Sequence, residues 1–135
     1  MARKAWRPRS PRKVSLKVPE SVRVQVQRAA DALIQSVLKP THVKPAPKDP
    51  QFNYIVDIYA KWHRSYFYFC AVYRCPFPDR LSEFFESRFA RLEYAGDGAF
   101  NLSFMRHTGQ WLELFANLTL EECLESIKSE PHYLP

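Results

Sequence analysis

The chain has 135 residues, with 20 Lys and Arg against 14 Asp and Glu, and a mixed composition that suits one domain able to bury about two-thirds of its surface. No stretch approaches the ~18 apolar residues of a membrane span, the positive N-terminus lacks the apolar core of a signal peptide, and Pro8 and Pro11 interrupt the amphipathic helix of an organellar transit peptide. Cys70, Cys75 and Cys123 leave one cysteine over in any disulfide scheme, so thiols in a reducing, cytoplasmic setting are expected.

The net charge of +6 is unevenly placed. Residues 1–17 hold seven bases and no acid. Up to Lys48 there are twelve bases against Glu20 and Asp31, which leaves eight bases and twelve acids behind, so a basic front precedes a mildly acidic remainder. The first segment, 1–18, mixes Arg, Lys, Ser and Pro with a single aromatic, Trp6. It cannot bury enough apolar surface to offset the entropy of ordering, and it is expected to be a disordered arm on a single domain spanning 19–135.

From Pro19, Val22, Val26, Ala29, Ala30, Leu33, Val37 and Leu38 recur at helical spacing. Proline suits a first turn and Pro40 should end the segment, so a helix over 19–39 is predicted. Pro40, Pro45, Pro47 and Pro50 then make 40–51 an extended connector, basic through Lys44 and Lys48. Two runs rich in Tyr, Phe, Ile and Val, 53–62 and 65–75, flank His63 and Arg64 and read as a hairpin. Aromatic residues line both faces of the second run, which predicts an interior strand covered on both sides. The segment 75–87 reads as a loop with one helical turn at Leu81, Phe84 and Phe85. Strands at 88–95 and 99–106 surround Asp97-Gly98, a dipeptide that tolerates positive φ, and Thr108-Gly109 turns the chain into 111–115. Thr119 and Glu122 form a capping box opening a last helix that runs to about Glu130 before Pro131. The fold class is therefore α+β: an N-terminal helix, an antiparallel sheet of four to five strands in two hairpin or meander units, and a C-terminal helix.

Met105 and Arg106 closing one strand, Trp111 opening the next, Leu120-Glu121-Glu122 with Leu124, and Pro131-His132 resemble a bacterial family catalogued as domain of unknown function 3024, mainly over residues 99–132. The helix and Pro-rich segment at 19–50 resemble it too. The resemblance implies a helix, sheet, helix architecture and no established activity. Two departures stand out, a longer aromatic hairpin at 52–75 and the ending Tyr133-Leu134-Pro135.

Cations without counter-charges displace counterions from a phosphate backbone, so the expected nucleic-acid contacts are Arg3, Lys4, Trp6, Arg7, Arg9, Arg12, Lys13, Lys17, Lys44 and Lys48, with Trp6 able to stack on a base. RNA and DNA both fit, and the competing reading is a protein-interaction module with an aromatic sheet surface and a solubilising tail; if one sheet face is open, Tyr66 and Tyr68 are expected on it. His63, Arg64, Arg106 and His107 make a secondary site on condition that their turns share one end of the sheet, with a histidine as base and the arginines steadying charge. No cofactor is expected, and no metal, because Cys70 and Cys75 fall on opposite strand faces and no ligand pair has zinc spacing. The glycines Gly96, Gly98 and Gly109 all sit in turns and form no phosphate loop. The sequence favours a non-enzymatic binding or accessory factor.

Overall fold

Residues 17–130, Tyr133 and Pro135 are described by the computed structural model. The order is α1 (Glu20–Leu33), a π-helical stretch (Ile34–Leu38), α2 (Lys39–His42), β1 (Tyr54–His63), β2 (Tyr66–Arg74), β3 (Phe84–Gly96), β4 (Ala99–Met105), β5 (Trp111–Thr119) and α3 (Leu120–Ser129). The five strands form one antiparallel meander in sequence order, which makes this an α+β fold. A meander alternates its turns, so the β1–β2 and β3–β4 turns share one end of the sheet. The β2–β3 loop and β4–β5 turn share the other.

The N-terminal helix does not stop at Pro40. A proline inside a helix lacks the N–H that would bond four residues back, and its ring crowds that carbonyl. Here the five residues from Ile34 to Leu38 widen into π geometry just ahead of it, and the rod continues to His42. Val26, Ala30, Ile34 and Leu38 form its buried stripe. Gln27 Nε2 donates to the Ala60 carbonyl (3.0 Å) near one end of β1, and Lys39 pairs with Asp57 (3.0 Å) near the other, so the rod runs antiparallel to β1.

One sheet face carries Ile58, Ala60, Phe67, Phe69, Ala71, Ala90, Leu92, Phe100, Leu102 and Leu118, and it packs on the helical stripe and on Cys123 and Ile127 of α3. The capping box is formed as expected: Glu122 N–H donates to Thr119 Oγ1 (3.1 Å), and Thr119 N–H donates to Glu122 Oε1 (2.9 Å). At the β3–β4 turn Asp97 and Gly98 have φ of 52° and 73°, the mirror-image turn that matches strand twist.

Two strands are longer than their local patterns. Phe84–Ser87 is strand rather than a helical turn, because it pairs with Ala71–Arg74 of β2 and gains a ladder that its sequence does not advertise. β5 reaches Thr119, its polar-apolar alternation blurred by bulges between Phe100 and Leu102 and between Leu102 and Ser103 of its partner β4.

The interior position of β2 holds, since β1 and β3 flank it, but among the described residues helices cover only one of its faces. On the other face Tyr68, Cys70, Glu93, Asn101 and Ser103 are nonetheless buried. Tyr68 of β2 and Trp111 of β5 have ring centroids 5.8 Å apart, although a flat sheet with strands about 4.8 Å apart would hold β2 and β5 some 14 Å from one another. The meander therefore curls, and its helix-free face is concave.

Candidate nucleic-acid interface

The described chain begins where the arm joins the domain. Val18 is buried and anchors the junction, while Lys17 is exposed. Immediately after it, α1 presents Arg23 and Arg28 along a shallow groove whose other walls are Glu20, Val24, Gln27 and Trp62. Arg23 is held firmly. Its guanidinium lies 5.0 Å from the Trp62 ring centroid, its Nη2 donates to the Arg64 carbonyl (3.0 Å), and its own carbonyl accepts from Trp62 Nε1 (3.1 Å). Arg64 can supply that carbonyl because it sits at the β1–β2 turn with φ of 58°. Lys17, Arg23, Arg28 and Arg64 thus form a basic ridge at the arm's root.

The sequence-predicted residues divide accordingly. Arg3, Lys4, Trp6, Arg7, Arg9, Arg12 and Lys13 lie outside the described residues. Lys17 stands at the ridge. Lys44 and Lys48 are exposed but follow the far end of a helical rod on the order of 35 Å long, so they are not part of the same patch. His63 and Arg64 occupy the β1–β2 turn end of the sheet, whereas Arg106 and His107 occupy the β4–β5 turn at the opposite end. The condition for a shared site, turns at one end of the sheet, is not met. Arg64 belongs with Arg23 instead.

The helix-free face holds a second group of cations and rings. Arg88 lies 4.3 Å from the Tyr68 ring centroid, and the Arg91 guanidinium sits between Tyr66 (4.5 Å) and Trp111 (4.7 Å). Tyr66 and Trp111 are half-buried, whereas Tyr68 is buried beneath them. The expectation that Tyr66 and Tyr68 both lie open therefore fails for Tyr68. Below this group the Tyr59 hydroxyl donates to Glu86, and burial together with that bond raises its pKa above the ordinary tyrosine range. Burial likewise raises the Cys70 thiol. Glu93 and Asn101 form a buried polar pair (3.3 Å) whose Asn101 Oδ1 also accepts from the Asn117 N–H (3.1 Å). These contacts give polar groups on the sheet's second face hydrogen-bond partners within the sheet.

Sequence reasoning counted Arg23 and Arg28 in the basic front without placing them at the interface. Their places on the helix are the signal that was available: Arg28 falls opposite the buried stripe of Val26 and Ala30, and Arg23 falls on its flank, half-buried beside Trp62. Arg88, Arg91 and Trp111 had no such signal, because only the register and curl of the sheet bring them together.

Among the described residues no group of three or more His, Cys, Asp or Glu side chains is placed to hold a metal ion, and no helix is long and apolar enough to cross a membrane. The family model described as Domain of unknown function (DUF3024) matches residues 18–134. The chain belongs to the DUF3024 family. The match extends well beyond residues 99–132 to cover the N-terminal helical rod, α3 and the aromatic hairpin. It begins at Val18, so the acid-free basic arm precedes the part that the DUF3024 model describes. No curated protein and no solved structure matches the chain.

Proposed function

We propose that this DUF3024 protein is a non-enzymatic nucleic-acid-binding or accessory factor of the cytoplasm, whose arm and α1 ridge neutralise a phosphate backbone. The observation that carries the reading is the continuity of charge. Seven cations without an acid in residues 1–17 lead directly to Arg23, Arg28 and Arg64 on the folded body. A polycationic segment gains affinity by releasing counterions, and a fixed ridge at its root gives the backbone a defined place to enter. The N-terminal end of α1 adds its own partial positive charge to the same corner. The curled sheet favours this reading over an aromatic docking face, since it buries Tyr68 and occupies Tyr66 and Trp111 with Arg91.

The test is titration of a labelled oligonucleotide, single-stranded and duplex, RNA and DNA, across a salt series with the full chain and with residues 1–16 removed. Affinity of the full chain should fall by orders of magnitude from low to physiological salt, and the truncated protein should lose most of its affinity and flatten the salt slope. Salt-insensitive binding that survives truncation would overturn the reading.

A further inference from the structure

The end of the sheet away from the arm is apolar and exposed. Phe52, Phe77, Leu81, Phe84 and Phe85 are between 38% and 107% exposed. The row Tyr54, Arg74, Phe84 closes the ladders of β1, β2 and β3. Phe52, Phe77, Leu81 and Phe84 lie at or beyond it, and Phe85 lies one residue inside it, opposite Tyr73, so the five share that end. Taking a large side chain's full surface as roughly 200 Å², they leave on the order of 600 Å² open, at the upper limit of what a monomer ordinarily exposes in one patch. Three of the charges beside them pair with one another. Arg74 and Arg80 both pair with Glu83, at 3.0 Å and 3.7 Å.

The same end has an open strand edge. β3 pairs with β2 from Phe84 onward, whereas its pairing with β4 begins only at Ala90. Continuing that register sets Arg106 opposite Arg88, so Phe84–Ser87 has no strand on its second side among the described residues. Cys75 N–H donates to the Glu83 carbonyl (2.8 Å), and antiparallel pairing alternates, so Phe85 and Ser87 also direct their backbone groups to β2. Phe84 and Glu86 then direct theirs to the open edge, consistent with Ser82 Oγ donating to the Phe84 carbonyl (2.7 Å).

We propose that this end of the sheet binds a second copy of the chain across a twofold axis, with the Phe84–Ser87 edges side by side and the phenylalanine and Leu81 side chains packed between the two copies. A strand edge is complementary to its own antiparallel copy, and an apolar patch with its ion pairs closed internally is complementary to itself, which is what an isologous contact requires. Two such patches bury on the order of 1,200 Å², the lower bound for a specific interface. The surface lies opposite the basic ridge. The two basic ridges would therefore lie at opposite ends of the dimer, away from their mutual repulsion. The proposal does not depend on the nucleic-acid reading.

The test is the solution mass of the nuclease-treated full chain, by light scattering on a sizing column and by sedimentation in high salt. The chain of 15.9 kDa should run at twice its mass in the tens of micromolar range, with the dimer insensitive to salt. Leu81→Asp combined with Phe84→Asp should weaken dimerisation at least tenfold, about the effect of losing a hot-spot side chain, with an unchanged circular dichroism spectrum. Amide exchange over Phe84–Ser87 in the unaltered chain should slow as concentration rises, a readout that does not depend on the variant folding. A monomer at high concentration, concentration-independent exchange at those amides, or a dimer that the double variant leaves intact would overturn it.

Discussion

The rings of Tyr68 and Trp111 meet at 5.8 Å even though β3 and β4 run between their strands. Arg91 reaches over the same site from β3, lying 4.7 Å from the Trp111 ring and 4.5 Å from Tyr66. The contact holds the curl of the sheet and seals a small second core made of rings, guanidinium groups and the Glu93–Asn101 pair.

Tyr68→Ala should accordingly cost about 3–5 kcal/mol in urea unfolding, because a buried ring is removed where no helix can settle into the gap. Trp111 is half-buried, and Trp111→Ala should cost less. The double variant decides the structural point. Its coupling energy should be about 0.5–1.5 kcal/mol, typical of an aromatic pair, whereas additivity of the two losses would mean that the sheet does not curl this way in solution.

Thiol reactivity reads the two cores independently. Cys70 and Cys123 are buried and Cys75 is half-buried, so the native protein should expose one reactive thiol and yield all three on unfolding. Burial pushes the Cys123 thiol and the Tyr133 hydroxyl well above their ordinary values of 9.0 and 10.0. The unfolded chain then loses these protons first as pH rises. Their contribution to stability is complete below pH 9 and declines as pH climbs above it, so the urea midpoint should drop between pH 9 and pH 11. A midpoint that holds constant across that interval would contradict the burial of Cys123.

The capping box that starts α3 is the local feature on which sequence and structure agree most closely. Thr119→Ala removes the acceptor for Glu122 N–H at the entrance to a helix that buries Cys123 and Ile127, and it should cost about 1 kcal/mol. Thr119→Ser should restore most of that loss, because the hydroxyl is what the cap uses. Equal losses in both variants, measured by thermal unfolding, would assign the effect to packing instead.

Local chemistry explains what was legible. Thr119 and Glu122, the Asp97-Gly98 turn and the stripe of Val26 and Ala30 each follow from interactions within a few residues, and each was readable from the sequence. Pro40 misled because the remedy for its missing N–H lies in the preceding π-helical turn, which has no sequence signature of its own. Phe84 and Phe85 read as a helical turn because three apolar residues at 81, 84 and 85 fit that period, while the ladder to Arg74 and Tyr73 that makes them strand depends on partners ten or more residues away. At the interface, the arm's charge was legible and the ridge was not, since Arg64 joins Arg23 only through the antiparallel placement of α1 on β1.

Asn117 has a backbone φ of 58° within β5, where most side chains are strained and asparagine or glycine is not. Asn117→Val should leave the domain about 1–2 kcal/mol less stable than Asn117→Gly, which accepts the positive φ. The comparison isolates the backbone, because the Asn117 amide that donates to Asn101 Oδ1 is retained in both variants. Equal stability of the valine and glycine forms in urea would rule out the positive φ.

Arg28 tests the ridge more cleanly than Arg23, which also holds the Trp62 ring and the Arg64 carbonyl. Arg28 is exposed on α1, so Arg28→Ala should leave the urea midpoint unchanged. If its guanidinium neutralises one phosphate, the variant should weaken oligonucleotide binding uniformly across sequences and lower the salt slope by about one. Arg88→Ala is the matching control, since it removes the same charge from the helix-free face, away from the arm's root. A slope that falls equally in both variants would mean that binding responds to net charge alone, and a slope that falls only for Arg88→Ala would move the interface to the concave face.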